Sequence, residues 1–148
     1  ILKNAGIDCN EIEVKSNEVF FLRDNQLVFP VAAKEKLVKK ADGWALDIYV
    51  FSPRPLDDLL IEPNMPKLTL VVKAKECQLA INDKAYVAAS QNRHEATYKE
   101  LPLLQGWNKV SIKIGERDKN EFSGNFRCDN RNEFLSSLKV MFVNPEVK

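Results

Sequence analysis

The sequence is short of the residues from which metal and nucleophile sites are usually built. It has a single histidine, His94, and three cysteines without a CxxC spacing. The usual zinc sites need four Cys or His ligands at short spacings, which this chain does not supply. As a catalytic base, His94 would need an orienting carboxylate and a nucleophile, yet sequence neighbours such as Glu95 point apart in a strand. An enzyme built on His94 is therefore disfavoured.

The chain also lacks an excess of charge of either sign. Its 22 basic and 21 acidic residues leave a net charge of +1. Such a balance produces no long-range electrostatic field, which argues against a dedicated binder of nucleic acid or of anionic membrane surfaces. Arg127, Arg131 and Lys139 form no continuous basic stripe. No apolar run approaches the length of a membrane span, so we expect no membrane insertion.

The few cysteines leave two interpretations open. Cys9, Cys77 and Cys128 are an odd number, so they cannot all pair within the chain. Buried free thiols are favoured, and one bridge involving Cys9 is the alternative. The sequence contains neither an N-glycosylation site nor a visible signal peptide, and it begins with Ile1 instead of Met. We expect a processed product or a piece of a longer protein.

What the chain does have is many short segments in which every second residue is apolar. Hydrophobic residues make up 45% of the 148 residues, enough for one domain with a substantial core. A period of two is typical of strands with one buried face. The predicted strands include residues 11–15, 20–22, 27–29, 44–51, 68–72, 79–81, 85–87, 110–114, 121–128 and 138–143. Without a long helix, they predict an all-β antiparallel sandwich over residues 1–148.

The connections between these segments carry further signals. Asp24-Asn25 and Asn82-Asp83 are residue pairs that tolerate positive φ, so each predicts a hairpin. Residues 34–40 are mostly charged and fit either one helical turn or a polar edge strand. Residues 52–66 contain four prolines and predict a long exposed loop.

One motif in the second half resembles a known family. After the Asn82-Asp83 hairpin comes the run Leu101-Pro102-Leu103-Leu104-Gln105-Gly106-Trp107-Asn108-Lys109-Val110. With its flanking strands, over residues 44–145, it resembles the galactose-binding-like jelly-roll modules attached to bacterial glycoside hydrolases and other carbohydrate-active proteins. Asp83 stands where those modules usually have glycine. Independently of the resemblance, Gly106 suits a positive φ in the turn, and the Asn108 side chain can bond the local backbone.

The resemblance implies a jelly-roll sandwich that meets its ligand at the loops of one end or on a concave sheet face. Sugar binding needs flat aromatic faces beside polar groups. The candidate ligand-binding residues are Tyr49, Phe51, Arg54, Tyr86, Arg93, His94, Tyr98 and Trp107. Contact with a crossing loop is the favoured alternative for Tyr49 and Phe51, and a core-capping position for Trp107. A solvated loop is favoured for Arg93 and His94.

The resemblance also implies a structural calcium ion, because related sandwiches often bind one. Asp118, Glu121, Asp129 and Asn130 have the oxygen ligands that calcium takes, and they lie around the predicted strand at 121–128. Their spacing matches no defined calcium loop, so plain solvated turns are favoured. No other cofactor is predicted.

Together with these observations, the resemblance implies a non-catalytic, carbohydrate-binding accessory module of a larger secreted, periplasmic or cell-surface bacterial protein. The alternative is a structural domain that packs against an adjacent domain of the same polypeptide and binds no sugar. A hydrolase ranks last, because none of the 21 acidic residues is singled out by an apolar setting. Solvent-facing aromatic rings beside polar groups would favour sugar binding, whereas a large flat apolar patch would favour the packing role.

Overall fold

Strands make up most of the regular structure. The computed structural model describes residues 19–56 and 66–144. In these ranges the strands are β1 (Phe21–Arg23), β2 (Gln26–Val28), β3 (Val38–Lys40), β4 (Gly43–Ser52), β5 (Leu68–Lys73), β6 (Cys77–Ile81), β7 (Lys84–Tyr86), β8 (Ser90–Gln91), β9 (Ala96–Leu101), β10 (Gly106–Gly115), β11 (Ser123–Arg127) and β12 (Lys139–Met141). The helices between them are α1 (Ala33–Lys36) and two 3₁₀ helices, Lys119–Glu121 and Asn132–Ser137. None of the helices described here is long and apolar enough to span a membrane.

The strands form two antiparallel sheets. Sheet A has the strand order β1-β2-β11-β5-β9-β8, and sheet B has the order β12-β4-β10-β6-β7, with β3 paired to β4 as well. From β4 onward the chain changes sheet after every strand or hairpin. The predicted all-β antiparallel sandwich is confirmed. The jelly-roll connection and the galactose-binding-like subtype stay predictions.

The core lies between the sheets and follows from alternation along the strands. Leu46, Ile48 and Val50 of β4 point inward and are at most 3% exposed. Val110 and Ile112 of β10 lie beside them in the ladder and are equally buried. Sheet A contributes the buried side chains Leu27, Leu70, Val72, Tyr98 and Phe126. The predicted facing of the 44–51 and 110–114 segments is therefore confirmed.

Two hairpins form where the turn pairs predict them. Asp24-Asn25 joins β1 to β2, and Asn82-Asp83 joins β6 to β7. All four turn residues have positive φ, between 51° and 69°. A two-residue turn of type I′ requires this backbone conformation, and Asn and Asp adopt it more readily than other non-glycine residues.

Other segments differ from the prediction, or show which of its alternatives is present. Residues 34–40 contain both alternatives, since α1 is followed directly by β3. The stretch between the predicted strands at 85–87 and 110–114, for which the sequence predicts no strand, contains β8 and β9. Only Ala96 and Tyr98 of β9 mark its buried face before Leu101 ends the strand, so the apolar alternation is weak. The predicted strand at 11–15 and the residue Cys9 lie outside the described ranges.

The outer strands of both sheets are short. β1 and β8, at the two borders of sheet A, have three and two residues, and β7 at one border of sheet B has three. The opposite border of sheet B is divided. There β3 pairs with residues 43–45 of β4, and β12 pairs with residues 49–51. Residues 46–48 have no strand partner on that side within the described chain.

A buried amide ties the parts of sheet B together. The Asn108 side chain is 1% exposed. Its Oδ1 accepts hydrogen bonds from Asn82 Nδ2 at 2.9 Å and from the Leu104 N–H at 2.8 Å. Its Nδ2 donates to the carbonyls of Val50, Leu104 and Gly106, at 3.3, 2.9 and 3.1 Å. The prediction that Asn108 bonds the local backbone is confirmed, and its reach extends to β4 and to the β6–β7 hairpin.

We expect Ile112→Asp to unfold the protein. Ile112 is 1% exposed between the sheets, and an unpaired carboxylate there costs several kcal/mol, about 4 or more, which is a large share of a typical domain's stability. The matched control is Lys113→Gln, because Lys113 points to the other face and pairs with Asp42 at the surface. Thermal melts followed by circular dichroism provide the measurement. Similar melting temperatures for the two variants would contradict the assigned facing of β10.

Asn108→Ala should lower the free energy of unfolding by about 3 kcal/mol, because it leaves several buried backbone groups and the Asn82 amide unpaired. Asn92→Ala is the control. Its Oδ1 also accepts two backbone N–H bonds, from His94 and Glu95, but in an exposed turn. Urea unfolding should show a loss below about 1 kcal/mol for the control. Equal losses of unfolding free energy in the two variants would contradict the claim that burial strengthens the contribution of the Asn108 amide to stability.

Candidate functional site

The outer surface of sheet B brings three of the predicted site residues together. Tyr49 and Phe51 are two residues apart on β4, so both point away from the core. Trp107 of β10 lies directly opposite Phe51 in the ladder, and such residues share a face with Cβ atoms about 5 Å apart. We call the patch formed by these rings and their ladder neighbours the aromatic face: Tyr49, Phe51, Trp107, Lys109, Lys139 and Met141.

The three rings of the aromatic face are half-buried, and those of Phe51 and Trp107 contact each other. The ring centroids of Phe51 and Trp107 are 5.5 Å apart, with an angle of 60° between the ring planes. This edge-to-face arrangement stabilises aromatic pairs. Trp107 therefore does not occupy the core-capping position that the sequence favours. Its indole N–H is buried and finds no hydrogen-bond partner in the described chain, so Trp107 offers a ring surface and no donor.

Charged and polar groups border the aromatic face. The Lys109 ammonium lies 3.7 Å from the Asp83 carboxylate. Lys139 is exposed beside Phe51. Burial raises the pKa of the Tyr49 hydroxyl, with a further increase from Asp47 and an opposing effect of Lys109. The hydroxyl is therefore protonated at neutral pH and can both donate and accept a hydrogen bond.

Two of the predicted tyrosines belong to the core. Tyr98 is 1% exposed and points inward from β9, so it has no ring face open to a ligand. Burial raises its pKa, with a smaller contribution from the nearby Cys77. Tyr86 pairs with Leu79 on the inner face of sheet B and packs against the core while half-buried. The candidate role of Tyr98 as a ligand contact is corrected accordingly, and that of the half-buried Tyr86 stays a prediction.

The remaining predicted residues lie apart from the aromatic face or at its end. Arg93 and His94 are exposed in the turn between β8 and β9 of sheet A. Asn92 orders this turn by accepting hydrogen bonds from two backbone N–H groups, which is the solvated loop favoured from the sequence. Arg54 is half-buried two residues after the end of β4, where Ser52 Oγ donates to the Arg54 carbonyl at 2.6 Å.

Two of the four oxygen-rich residues near β11, Asp118 and Asn130, bind backbone N–H groups of the protein itself. Asp118 is 7% exposed and accepts hydrogen bonds from the N–H groups of Lys75, Glu76 and Gly115, at 3.0 to 3.1 Å. Asn130 accepts from the Lys67 N–H, and Asp129 pairs with Arg127. Glu121 is exposed. Among the described residues no group of three or more His, Cys, Asp or Glu side chains is placed to hold a metal ion.

The two described cysteines are free thiols in poorly solvated positions. Burial raises the pKa of Cys77 from its ordinary value of 9.0 to about 11, with a hydrogen bond from Tyr98 opposing and Asp118 adding to the shift. Burial also raises the pKa of Cys128, which is fully buried. Since the thiolate is the nucleophile, neither cysteine is activated for catalysis at neutral pH.

We expect Cys77 to react slowly with a disulfide reagent such as DTNB at pH 8. A pKa that is raised by about two units leaves about a hundredfold fewer thiolates than an ordinary cysteine. The rate should rise about tenfold per pH unit until the pH approaches about 11. The Cys9→Ser, Cys128→Ala background isolates Cys77, and urea-unfolded protein gives the reference rate. A plateau of the folded rate below pH 9 would contradict this account.

A second surface feature lies at the divided border of β4, and no sequence motif points to it. Between β3 and β12 there is an open depression of about 290 Å³. We call it the edge notch, and its lining residues are Lys36, Val38, Lys40, Ala45, Leu46, Asp47, Tyr49 and Phe142. Tyr49 belongs to both surfaces, so the edge notch and the aromatic face are continuous. The sequence does not reveal this depression because the two strands that flank it, β3 and β12, are about a hundred residues apart in the chain.

The outer surface of sheet A holds two unusual polar atoms. Asn125 Oδ1 and Arg127 Nε of β11 are buried, and neither finds a hydrogen-bond partner in the described chain. Thr69 and Val71 beside them are also buried. Because solvent does not reach these atoms, a ligand cannot contact them in this conformation. They identify a closed part of the surface, in contrast to the open aromatic face.

Comparisons with known proteins leave the family resemblance untested. A scan against protein-family models, a search of curated proteins and a search of solved structures each found no match. The function is therefore inferred from geometry and chemistry alone.

Proposed function

We propose that this protein is a non-catalytic binding module and that its aromatic face takes a carbohydrate. The observation that carries the proposal is the placement of Tyr49, Phe51 and Trp107 on one outer sheet surface, all half-buried, with the rings of Phe51 and Trp107 in contact. Each ring is held by its strand, so little conformational entropy remains to be lost on binding. A preformed aromatic surface of this kind suits a rigid, flat ligand.

The surroundings of the rings fit a sugar in particular. One face of a pyranose ring presents C–H groups that pack on aromatic rings, while its hydroxyls need donors and acceptors at the rim. Lys109, Lys139 and the Tyr49 hydroxyl supply donors, and Asp47 supplies an acceptor on the same side of β4. A purely apolar partner would take these polar groups out of water without offering them hydrogen bonds.

A structural role is the second candidate, and exposed apolar residues at the border of sheet A favour it. On β1, Phe21 is 43% exposed and Leu22 is 52% exposed, and Val19 just before them is 46% exposed. Exposed apolar side chains that lie together often mark an interface. In this alternative a neighbouring domain of the same polypeptide covers β1, and no sugar is bound.

The remaining parts of the proposal follow from the predicted class of protein. A binding module of this kind acts as an accessory to a larger secreted, periplasmic or cell-surface protein of bacterial origin. Catalysis ranks behind both binding and packing, because the buried carboxylate of Asp118 is committed to three backbone N–H groups. Nucleic acid is not proposed as a partner, given the net charge of +1.

Affinity gel electrophoresis against a panel of neutral and acidic polysaccharides tests the proposal. We expect at least one polysaccharide to retard the protein, and Trp107→Ala and Tyr49→Ala each to weaken that binding about tenfold, the effect of losing about 1.4 kcal/mol of ring contact. Phe21→Ala is the matched control, because it removes an exposed ring from the border of sheet A. It should bind like the unaltered protein.

A Trp44→Phe variant gives an independent readout, since Trp107 is then the only tryptophan. Its fluorescence should change on titration with the retarding polysaccharide. Folded protein that no polysaccharide retards would overturn the proposal and favour the packing role. Loss of binding in Phe21→Ala, with Trp107→Ala unaffected, would move the binding surface to β1.

A further inference from the structure

The edge notch is a gap in sheet B at which the backbone of β4 is open. In an antiparallel ladder, the N–H and C=O groups of one residue point to one neighbouring strand, and those of the next residue point to the other. Lys40 and Gly43 flank the two-residue turn between β3 and β4, so they form a hydrogen-bonded pair. Counted from Gly43, every second residue of β4 points its backbone groups to this border, and the third of them is Asp47. Consistently, the Lys109 carbonyl on β10 points away from β4 and accepts the Asn82 N–H.

Asp47 is the residue whose backbone groups find no ladder partner at this border. On one side of it Ala45 pairs with Val38 of β3, and on the other side Tyr49 pairs with Met141 of β12. No backbone group of a described turn or loop bonds to Asp47 either. One amide donor and one carbonyl acceptor of the same residue therefore face the notch.

The setting of Asp47 differs from that of the other unpaired backbone groups at the sheet borders. Within the described chain, β1, β7 and β8 are open along their whole length, so another strand can reach them. The notch is closed at both ends by β3 and β12. From Ala45 to Tyr49 it measures about 13 Å, four steps of about 3.3 Å, whereas a typical strand spans about 17–20 Å. The notch thus suits a compact ligand and not an added strand.

The walls around the Asp47 backbone are mostly apolar. Its volume of about 290 Å³ places the notch at the lower limit of small-molecule sites, about 300 Å³. Five of its eight lining residues are aliphatic or aromatic: Val38, Ala45, Leu46, Tyr49 and Phe142. A ligand that carries a small apolar group beside a hydrogen-bond acceptor and a donor can bury that group here while its polar atoms pair with the open backbone.

We propose that the edge notch binds the acetamido group of an N-acetylated amino sugar. This inference rests on the proposed function and names its ligand class. The acetamido oxygen accepts the Asp47 N–H, the hydroxyl on the neighbouring ring carbon donates to the Asp47 carbonyl, and the methyl group packs against the apolar wall. The rest of an oligosaccharide continues over Tyr49, which belongs both to the notch and to the aromatic face.

An acetamido group matches the notch better than other common sugar substituents do. A hydroxyl group can pair with the same backbone atoms, but it brings no methyl group to the apolar wall. A carboxylate would place a second negative charge beside the Asp47 side chain, which lines the same notch. The combination of one open N–H, one open carbonyl and an apolar wall therefore favours the acetylated amine.

Isothermal titration calorimetry with two matched pairs of sugars tests the inference. The pairs are chitotetraose with cellotetraose, and N-acetyllactosamine with lactose, so the members of each pair differ only in the acetamido group. The unaltered protein should bind the acetylated member of at least one pair about tenfold more tightly, the combined effect of one hydrogen bond and one buried methyl group. Ala45→Leu should reduce this preference to about twofold or less, because the larger side chain fills the notch.

Ala80→Leu is the matched control for the filled notch. Ala80 is also half-buried on the outer face of sheet B, but it lies on β6 opposite Ser111 and does not line the notch. Its substitution should leave the preference for the acetylated sugar intact.

Asp47→Pro tests the backbone donor itself. Proline removes the N–H, and an edge position without a ladder bond tolerates it. Asp47→Ala is its control, because both variants lack the carboxylate and only proline lacks the N–H. Asp47→Ala should weaken both members of a pair equally and keep the preference, whereas Asp47→Pro should lose it. Thermal melts establish that both variants are folded, and if Asp47→Pro is not, Ala45→Leu alone decides.

The outcomes separate this inference from the proposed function. Equal binding of both members of each pair by the unaltered protein overturns the acetamido site and leaves carbohydrate binding intact. A preference that survives Ala45→Leu, or that Ala80→Leu abolishes equally, places recognition elsewhere and also overturns the site. Binding of none of the four sugars, nor of any polysaccharide in the electrophoresis panel, overturns both proposals.

Discussion

The Asn108 amide is the interaction on which the arrangement of sheet B depends. A primary amide has two N–H donors and an oxygen with two lone pairs, and here they find partners on β4, on the turn before β10 and on the β6–β7 hairpin. Buried polar groups are costly to leave unpaired, so these segments are held in the one relative position that forms all the bonds. The amide thereby sets where β10 starts, and with it the position of Trp107 against Phe51.

Most of the central strands can be read from the sequence because each buries one face. Along the ten residues of β4 and of β10, buried side chains alternate with more exposed ones. The signals for the hairpin turns are local, because each is a pair of adjacent residues. β8 and β9 escape prediction for a physical reason: β8 has two residues, and the few inward residues of β9 lie among polar ones. Residues 34–40 left two alternatives open, and a four-residue helix followed by a three-residue strand is too short to show either period.

Site residues could be predicted from the sequence only where the pattern of a single strand shows which side of the sheet each side chain lies on. Tyr49 and Phe51 stand out because the opposite face of β4 is so clearly apolar. Tyr98 has the same chemistry, yet its ring is buried, since the inward face of β9 is set by pairing with β5. The edge notch has no local signal at all. It arises where two strands distant in sequence share one border of β4, which only the tertiary structure reveals.

The short outer strands bear on how the protein behaves at high concentration. The last strand of a sheet presents unpaired backbone N–H and C=O groups, to which a strand of another molecule can add. β1, β7 and β8 offer at most three residues each, and the three-residue opening beside β4 is flanked by Lys36 and Lys40. So few backbone groups hold an incoming strand poorly, and Lys40 of one molecule would meet the Lys40 of an identical molecule there. The fold thus resists stacking into fibrils through its sheet borders.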